Sequence, residues 1–318
     1  MSHPFARRIQ EVYPEMPIAD VQSERLAQHY FVLTINQSLV FRVARDDAGA
    51  AALKRETEFL LPAVGRAVAL PVPQPAYAAF ERMEAGAAFM GYPRIAGEPL
   101  WPEELSAGDL AAYTDRAAED LAEFLHGLHA IEPRTLPPEF ADGDSGFAAE
   151  GQSARLASSA GGDGREAVRL SVPRLYARIQ TELFPLMSAA IRDRAERDFG
   201  GFLRRSAEQL PPRALIHGAM GPVHILHSGG EPGISGIVGF GSARFGDPAE
   251  DLAGILAGYG EAFFLNCLER YPGGDALEER ARFHARVFPL REALYGLDGG
   301  DEDSLGFGMQ AYEKEQIR

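Results

Sequence analysis

The chain has 318 residues, 46% of them hydrophobic and 24% charged, with a formal net charge of −15. This is an ordinary globular composition with enough chain for a large core, in one two-lobed unit or two domains. Its acidity argues against a nucleic-acid partner, which needs a basic stripe, and no uninterrupted apolar run reaches the roughly 18 residues of a membrane span.

The N-terminus carries Arg7 and Arg8 with no apolar core behind them, unlike a secretory signal. Phe31–Leu33 and Leu39–Ala44 are short runs of β-forming residues around the turn-like Asn36-Gln37-Ser38, which predicts an antiparallel hairpin. Leu53, Glu56, Leu60 and Leu61 recur at helical spacing within Ala48–Val64. The proline-rich Leu70–Pro75 is stiff and extended. Tyr77–Phe80 and Ala88–Ile95 are expected as two more strands, and Gly97-Glu98-Pro99 closes a small α+β lobe.

Beyond that point the pattern turns helical. Asp109–Ile131 puts Leu121, Phe124, Leu125 and Leu128 on one face, with His126 or His129 beside the core in a structural role. Pro137–Gly164, rich in Gly, Ser, Ala and Asp, is expected to be a loop or ligand-covering insertion. Helices resume at Val172–Met187 and Ala190–Gln209, broken near Pro185. Leu215–Leu226 and Gly236–Ala253 each set an apolar run beside a glycine-rich turn, and together suggest a β-hairpin holding a pocket. The lone cysteine, Cys267, sits in the apolar Ala262–Leu268; it predicts buried packing and fits a reducing cytoplasm. Asp298, Asp301, Glu302 and Asp303 are expected on a solvated loop.

The two glycine-rich segments carry a family pattern. His217-Gly218 with His224-Ile225-Leu226, then Phe240-Gly241 with Ala243, then Gly246-Asp247-Pro248 with Asp251-Leu252-Ala253 resemble the three motif blocks of aminoglycoside and macrolide phosphotransferases. Val40-Phe41-Arg42, Leu53-Lys54-Arg55-Glu56, Pro71–Pro75 and Gly91–Leu100 resemble the family's nucleotide lobe and hinge. The resemblance implies a protein-kinase-like α+β fold, with an N-terminal lobe over residues 1–97 and a helical lobe over residues 98–318. It also implies ATP and Mg²⁺ as cofactors and a small molecule as the partner. Arg42, Glu56, Tyr92 and Ile95 fall at its cofactor-binding positions, with Arg42 and Glu56 able to pair across the lobe. Asp247 and Asp251 are expected to brace the catalytic loop through backbone hydrogen bonds.

The departures fall on the chemistry. Ala219 replaces the family's catalytic aspartate, Gly239 its metal-binding aspartate, and Ser242 the following acid. A positioned general base contributes about 10²–10⁴ in rate, roughly 3–5 kcal/mol, and the metal clamp on the phosphates adds several kcal/mol more. Alanine and glycine supply neither. His224, beside the vacated positions, and His217, propping the loop, are the candidate catalytic residues that remain. With His227 they do not form a metal-site motif. Three expectations follow: a small-molecule binder without ordinary ATP/Mg²⁺ phosphotransferase activity, an enzyme of non-phosphoryl chemistry such as cyclisation or elimination, or a weakly active phosphotransferase.

Overall fold

The computed structural model describes residues 4–26, 30–105, 111–137, 171–208, 213–229 and 233–314. The expected insertion at 137–164 therefore lies outside the described residues, apart from its first position.

Helix α1 (Pro4–Val12) precedes a five-stranded antiparallel sheet of β1 (Val21–Leu26), β2 (Tyr30–Ile35), β3 (Leu39–Ala44), β4 (Tyr77–Ala79) and β5 (Phe89–Pro93), ordered β1-β2-β3-β5-β4. The hairpin forms where expected: Asn36 and Gln37 take left-handed φ of 52° and 58°, a conformation that asparagine tolerates best after glycine. The Asn36 side chain also accepts the N–H groups of Ala19 and Asp20, at 2.9 and 3.1 Å, so the turn aligns the chain entering β1. Strand β1 is an element the sequence reading did not include: Arg25 pairs with Val32 and Leu26 with Phe31. Period-2 alternation was too weak over Val21–Leu26 to announce it.

Asp46 caps α2 (Asp47–Arg55) by accepting the Gly49 N–H at 2.6 Å. The helix continues through a π-helical turn at Glu56–Leu60 into α3 (Leu61–Ala67). One face of the sheet and these helices share a core with the second half of the chain, whereas α1 closes the other face through Ile9 against Leu33, Phe41 and Phe89.

The remainder is mainly helical: α4 (Ala111–His129), α5 (Val172–Arg178) with a π turn at Ile179–Leu183, α6 (Ala189–Glu208), α7 (Ala249–Tyr259), α8 (Glu261–Arg270), α9 (Asp275–Gly299) and α10 (Glu302–Lys314). The break expected near Pro185 falls at Met187, between a 3₁₀ turn and α6. Short strands β6 (Glu98–Pro99), β7 (Ala214–Ile216), β8 (Ile225–His227), β9 (Gly236–Ile237) and β10 (Arg244–Gly246) form two small sheets, β6-β8-β9 and β7-β10. The two motif segments are therefore interleaved rather than one hairpin: only β8 and β9 are hairpin partners, while β7 pairs with β10. The acidic run is also corrected. Asp298 ends α9 bonded to Arg178, and Asp301 takes the Asp303 and Ser304 N–H groups at the start of α10. The whole is the expected two-lobed α+β arrangement. Among the described residues no helix is long and apolar enough to cross a membrane.

Candidate functional site

After β7 the chain turns through His217-Gly218-Ala219. Gly218 has φ +77°, and a Cβ built on it would stand 2.7 Å from Arg244 Nη1, so both backbone and space require glycine. The turn is held from behind by Asp251 of α7. Its carboxylate accepts the His217 and Gly218 N–H groups, each at 2.8 Å, and His129 Nε2 lies 3.1 Å away. Burial alone would raise the Asp251 carboxyl; the His129 hydrogen bond, the His129 and His217 charges and the Gly218 N–H hold it below its ordinary value. His129 is anchored in turn by Tyr271 OH at 2.9 Å.

Asp251 thus occupies its expected bracing place, but Asp247 does not. Asp247 caps α7 by accepting the Ala249 N–H at 3.0 Å and pairs with Arg280 of α9 at 2.9 Å. Burial opposes ionisation there as well, and the His284 hydrogen bond, the His284 and Arg280 charges and the capping bond lower its pKa. Asp247 is engaged by the α7 N-terminus and by α9, a choice that sequence spacing does not distinguish.

His217 is fully buried and both ring nitrogens face the backbone: Nε2 donates to Val238 O at 2.9 Å, and Nδ1 accepts the Ala219 N–H at 3.3 Å. His224 Nδ1 donates to Ala219 O at 2.7 Å. That bond turns Nε2 towards Gly239, at φ +87°, where a built Cβ would stand 2.5 Å from Nε2, 2.8 Å from Cγ and closer still to Cδ2. The imidazole therefore fills the space into which a side chain at 239 would project. Ala219 and Ser242 are each 2% exposed.

The sheet contributes the opposite wall. Arg42 on β3 pairs with Glu56 of the π turn at 2.5 Å, with side chains 7% and 5% exposed. It is a buried pair rather than a surface one. The guanidinium lies 4.2 Å from the centre of the Tyr30 ring, a cation–π distance. Its Nη2 is 3.3 Å from the place a Cβ on Gly241 would occupy, and Tyr30 Cε2 is 3.9 Å from it, so the two lobes meet here. Tyr92 is buried on β5 opposite Val40, and half-buried Ile95 packs on Gly236. The sequence reading placed His129 beside the core without its partner Asp251, and it missed the roles of Tyr30 and Arg244. Arg244 sits within the motif segment but at a position that carries no motif residue, whereas Tyr30 and His129 gain their roles from partners on other elements.

A phosphotransferase metal does not fit these residues. Mg²⁺ prefers hard oxygen ligands in near-octahedral array, yet 219 and 239 have no oxygen-bearing side chain and an imidazole fills the space at 239. Among the described residues no cluster of three or more His, Cys, Asp or Glu gathers to hold a metal ion. The charged groups that flank the loop are Arg42 with Glu56, Arg244 with Glu250 at 2.8 Å, and Asp251, whose oxygens face backbone donors.

Sequence and structure comparisons agree on the relatives. Residues 18–285 match the phosphotransferase enzyme family. Viomycin phosphotransferase of Streptomyces vinaceus is 29% identical over 297 residues, covering 89% of each chain. Among solved structures, the GDP and kanamycin complex of APH(2″)-IIIa superposes with a TM-score of 0.79 at 24% identity, over 98% of both chains. A macrolide 2′-phosphotransferase type I superposes with a TM-score of 0.64 at 18% identity, over 95% of this chain and 93% of that one.

Proposed function

The chain belongs to the phosphotransferase enzyme family, matched over residues 18–285, and on that premise we propose that it binds a small molecule without ordinary metal-dependent phosphoryl transfer. In this reading the ligand lies between the lobes of residues 1–97 and 98–318, and relatives named for GDP, kanamycin and viomycin support a small molecule as the ligand. The observation that carries this reading is the contact of His224 with Gly239. Loss of an acid alone leaves a hole that a neighbouring carboxylate can fill, but here the space is already taken by an imidazole. Ala219 removes the proton acceptor, and its carbonyl is used to orient that same imidazole.

Arg42 and Glu56 keep the pairing that holds the sheet lobe against Gly241, so the scaffold of the cleft persists without its acids. Tyr92 and Ile95 serve as the hinge wall. His217 positions the loop, since both its ring nitrogens are bonded to backbone. The single, buried Cys267 agrees with a reducing, cytoplasmic setting.

One observation favours a second reading, non-phosphoryl chemistry on the bound molecule. Ala219 O fixes the His224 ring proton on Nδ1 and so sets the tautomer of the ring beside positions 219 and 239, as a general acid or base requires. Incubation with ATP, Mg²⁺ and either viomycin or kanamycin, followed by mass spectrometry, tests the main reading. No phosphorylated product is expected; stoichiometric conversion to one would overturn it.

A further inference from the structure

The seam between the first turn of α7 and helix α9 leaves arginine N–H groups without acceptors. Three buried side-chain atoms without a hydrogen-bond partner among the described residues lie on α9: Arg280 Nη2, His284 Nδ1 and Arg291 Nε. The carboxylates facing them are already engaged. Asp247 takes Arg280 at 2.9 Å and faces His284 at 3.5 Å, and Glu250 takes Arg244 Nη2 at 2.8 Å. Arg291 Nη2 is left 4.0 Å from Glu250, within ion-pair range but beyond a hydrogen bond.

A buried guanidinium N–H such as Arg291 Nε is costly without an acceptor. The Arg291 side chain is 17% exposed, so it reaches the surface of the seam. Burial lowers its pKa, Glu250 opposes that, and Arg244 adds to it. The seam also joins the candidate site directly. Arg244 Nη1 bonds Ser242 O at 3.5 Å and abuts Gly218, one residue from Ala219. The first turn of α7 adds the partial positive charge of its N–H groups.

We propose that Arg291, with Arg244 beside it, receives an oxyanion, the carboxylate or phosphate group of the molecule bound at this site. The proposal rests on the reading that the catalytic face no longer handles a metal-bound phosphate. With no carboxylate at 219, 239 or 242, the local balance of charge accepts an anion directly. The planar guanidinium fork matches the geometry of two oxyanion oxygens.

The test is calorimetric titration of the full chain with inorganic phosphate and, separately, with acetate, in EDTA and at ionic strength fixed by sodium chloride. Saturable binding is expected. Tighter phosphate assigns a phosphate group, and tighter acetate assigns a carboxylate. Arg291→Gln weakens the binding by about tenfold or more, whereas Arg291→Lys, which keeps charge but not the fork, loses less. No saturable heat, or equal binding by Arg291→Gln, overturns the proposal. Should the variants fail to fold, phenylglyoxal labelling of the native chain, located by peptide mass, replaces them: phosphate or acetate is expected to protect Arg291, and unchanged labelling overturns the proposal. Neither nucleotide nor metal is present, so failure here is distinct from failure of the proposed function, which ATP-dependent product formation or magnesium-dependent ATP binding would reveal.

Discussion

His224 and Gly239 exclude one another's alternatives: the imidazole stands where a side chain on residue 239 would begin, with Nε2 2.5 Å from the built Cβ position. The two residues are far apart in the motif pattern, in different blocks, yet they form one packing unit.

Restoring the acid with Gly239→Asp is therefore expected to destabilise the chain rather than revive it. Overpacking of this kind costs about 1–3 kcal/mol, and the φ of +87° adds strain for any side chain. In a denaturant-based double-mutant cycle with His224→Ala, the double variant should recover at least ~0.5 kcal/mol relative to the sum of the singles. Strict additivity would mean that the two residues do not compete for the same space.

Arg42 and Glu56 are both buried, so breaking the pair leaves a charge uncompensated. Glu56→Ala is expected to cost about 3–5 kcal/mol in urea unfolding, and the joint replacement Arg42→Met with Glu56→Leu to cost less than that single change. A loss below about 1 kcal/mol for Glu56→Ala would place the pair among surface ion pairs.

Asp251 links the loop to pH. Its carboxyl lies below its ordinary 3.8 in the folded chain, so its contribution is fully present above that value. It is lost as pH falls below 3.8 through the depressed folded value. Asp251→Asn is expected to flatten that acid limb and to cost about 1–3 kcal/mol at neutral pH, because an amide cannot accept both loop N–H groups with both its heavy atoms. An unchanged acid limb would show that other carboxylates, Asp247 first, carry it.

Cys267 is fully buried, and burial pushes its thiol up to about 12. Thiol reagents at pH 8 are expected to leave the native chain unlabelled and to label it at the rate of unfolding. Rapid stoichiometric labelling of folded protein would contradict this packing.

The legible parts of the molecule were those written locally. The spacing of Leu53, Glu56, Leu60 and Leu61 announces α2 and its continuation, and Asn36-Gln37-Ser38 announces the hairpin. The motif blocks located His217, Ala219, His224 and Gly239 on one turn-rich face because each block is short and contiguous. What stayed hidden depends on encounters between remote segments. The Tyr30 ring meets Arg42 diagonally across the β2–β3 pair, and His129 reaches Asp251 from another helix. The family resemblance implies a bracing role on the loop for Asp247 as for Asp251. The position of Asp247 at the start of α7 gives it the Ala249 N–H, and α9 brings Arg280 to it.

The most direct test of the central claim is calorimetric titration of ATP into the full chain, with Mg²⁺ and again with EDTA. The account predicts no magnesium-dependent binding, because Ala219, Gly239 and the His224 ring offer the ion no carboxylate. Tight ATP binding that requires Mg²⁺ and vanishes in EDTA would contradict it.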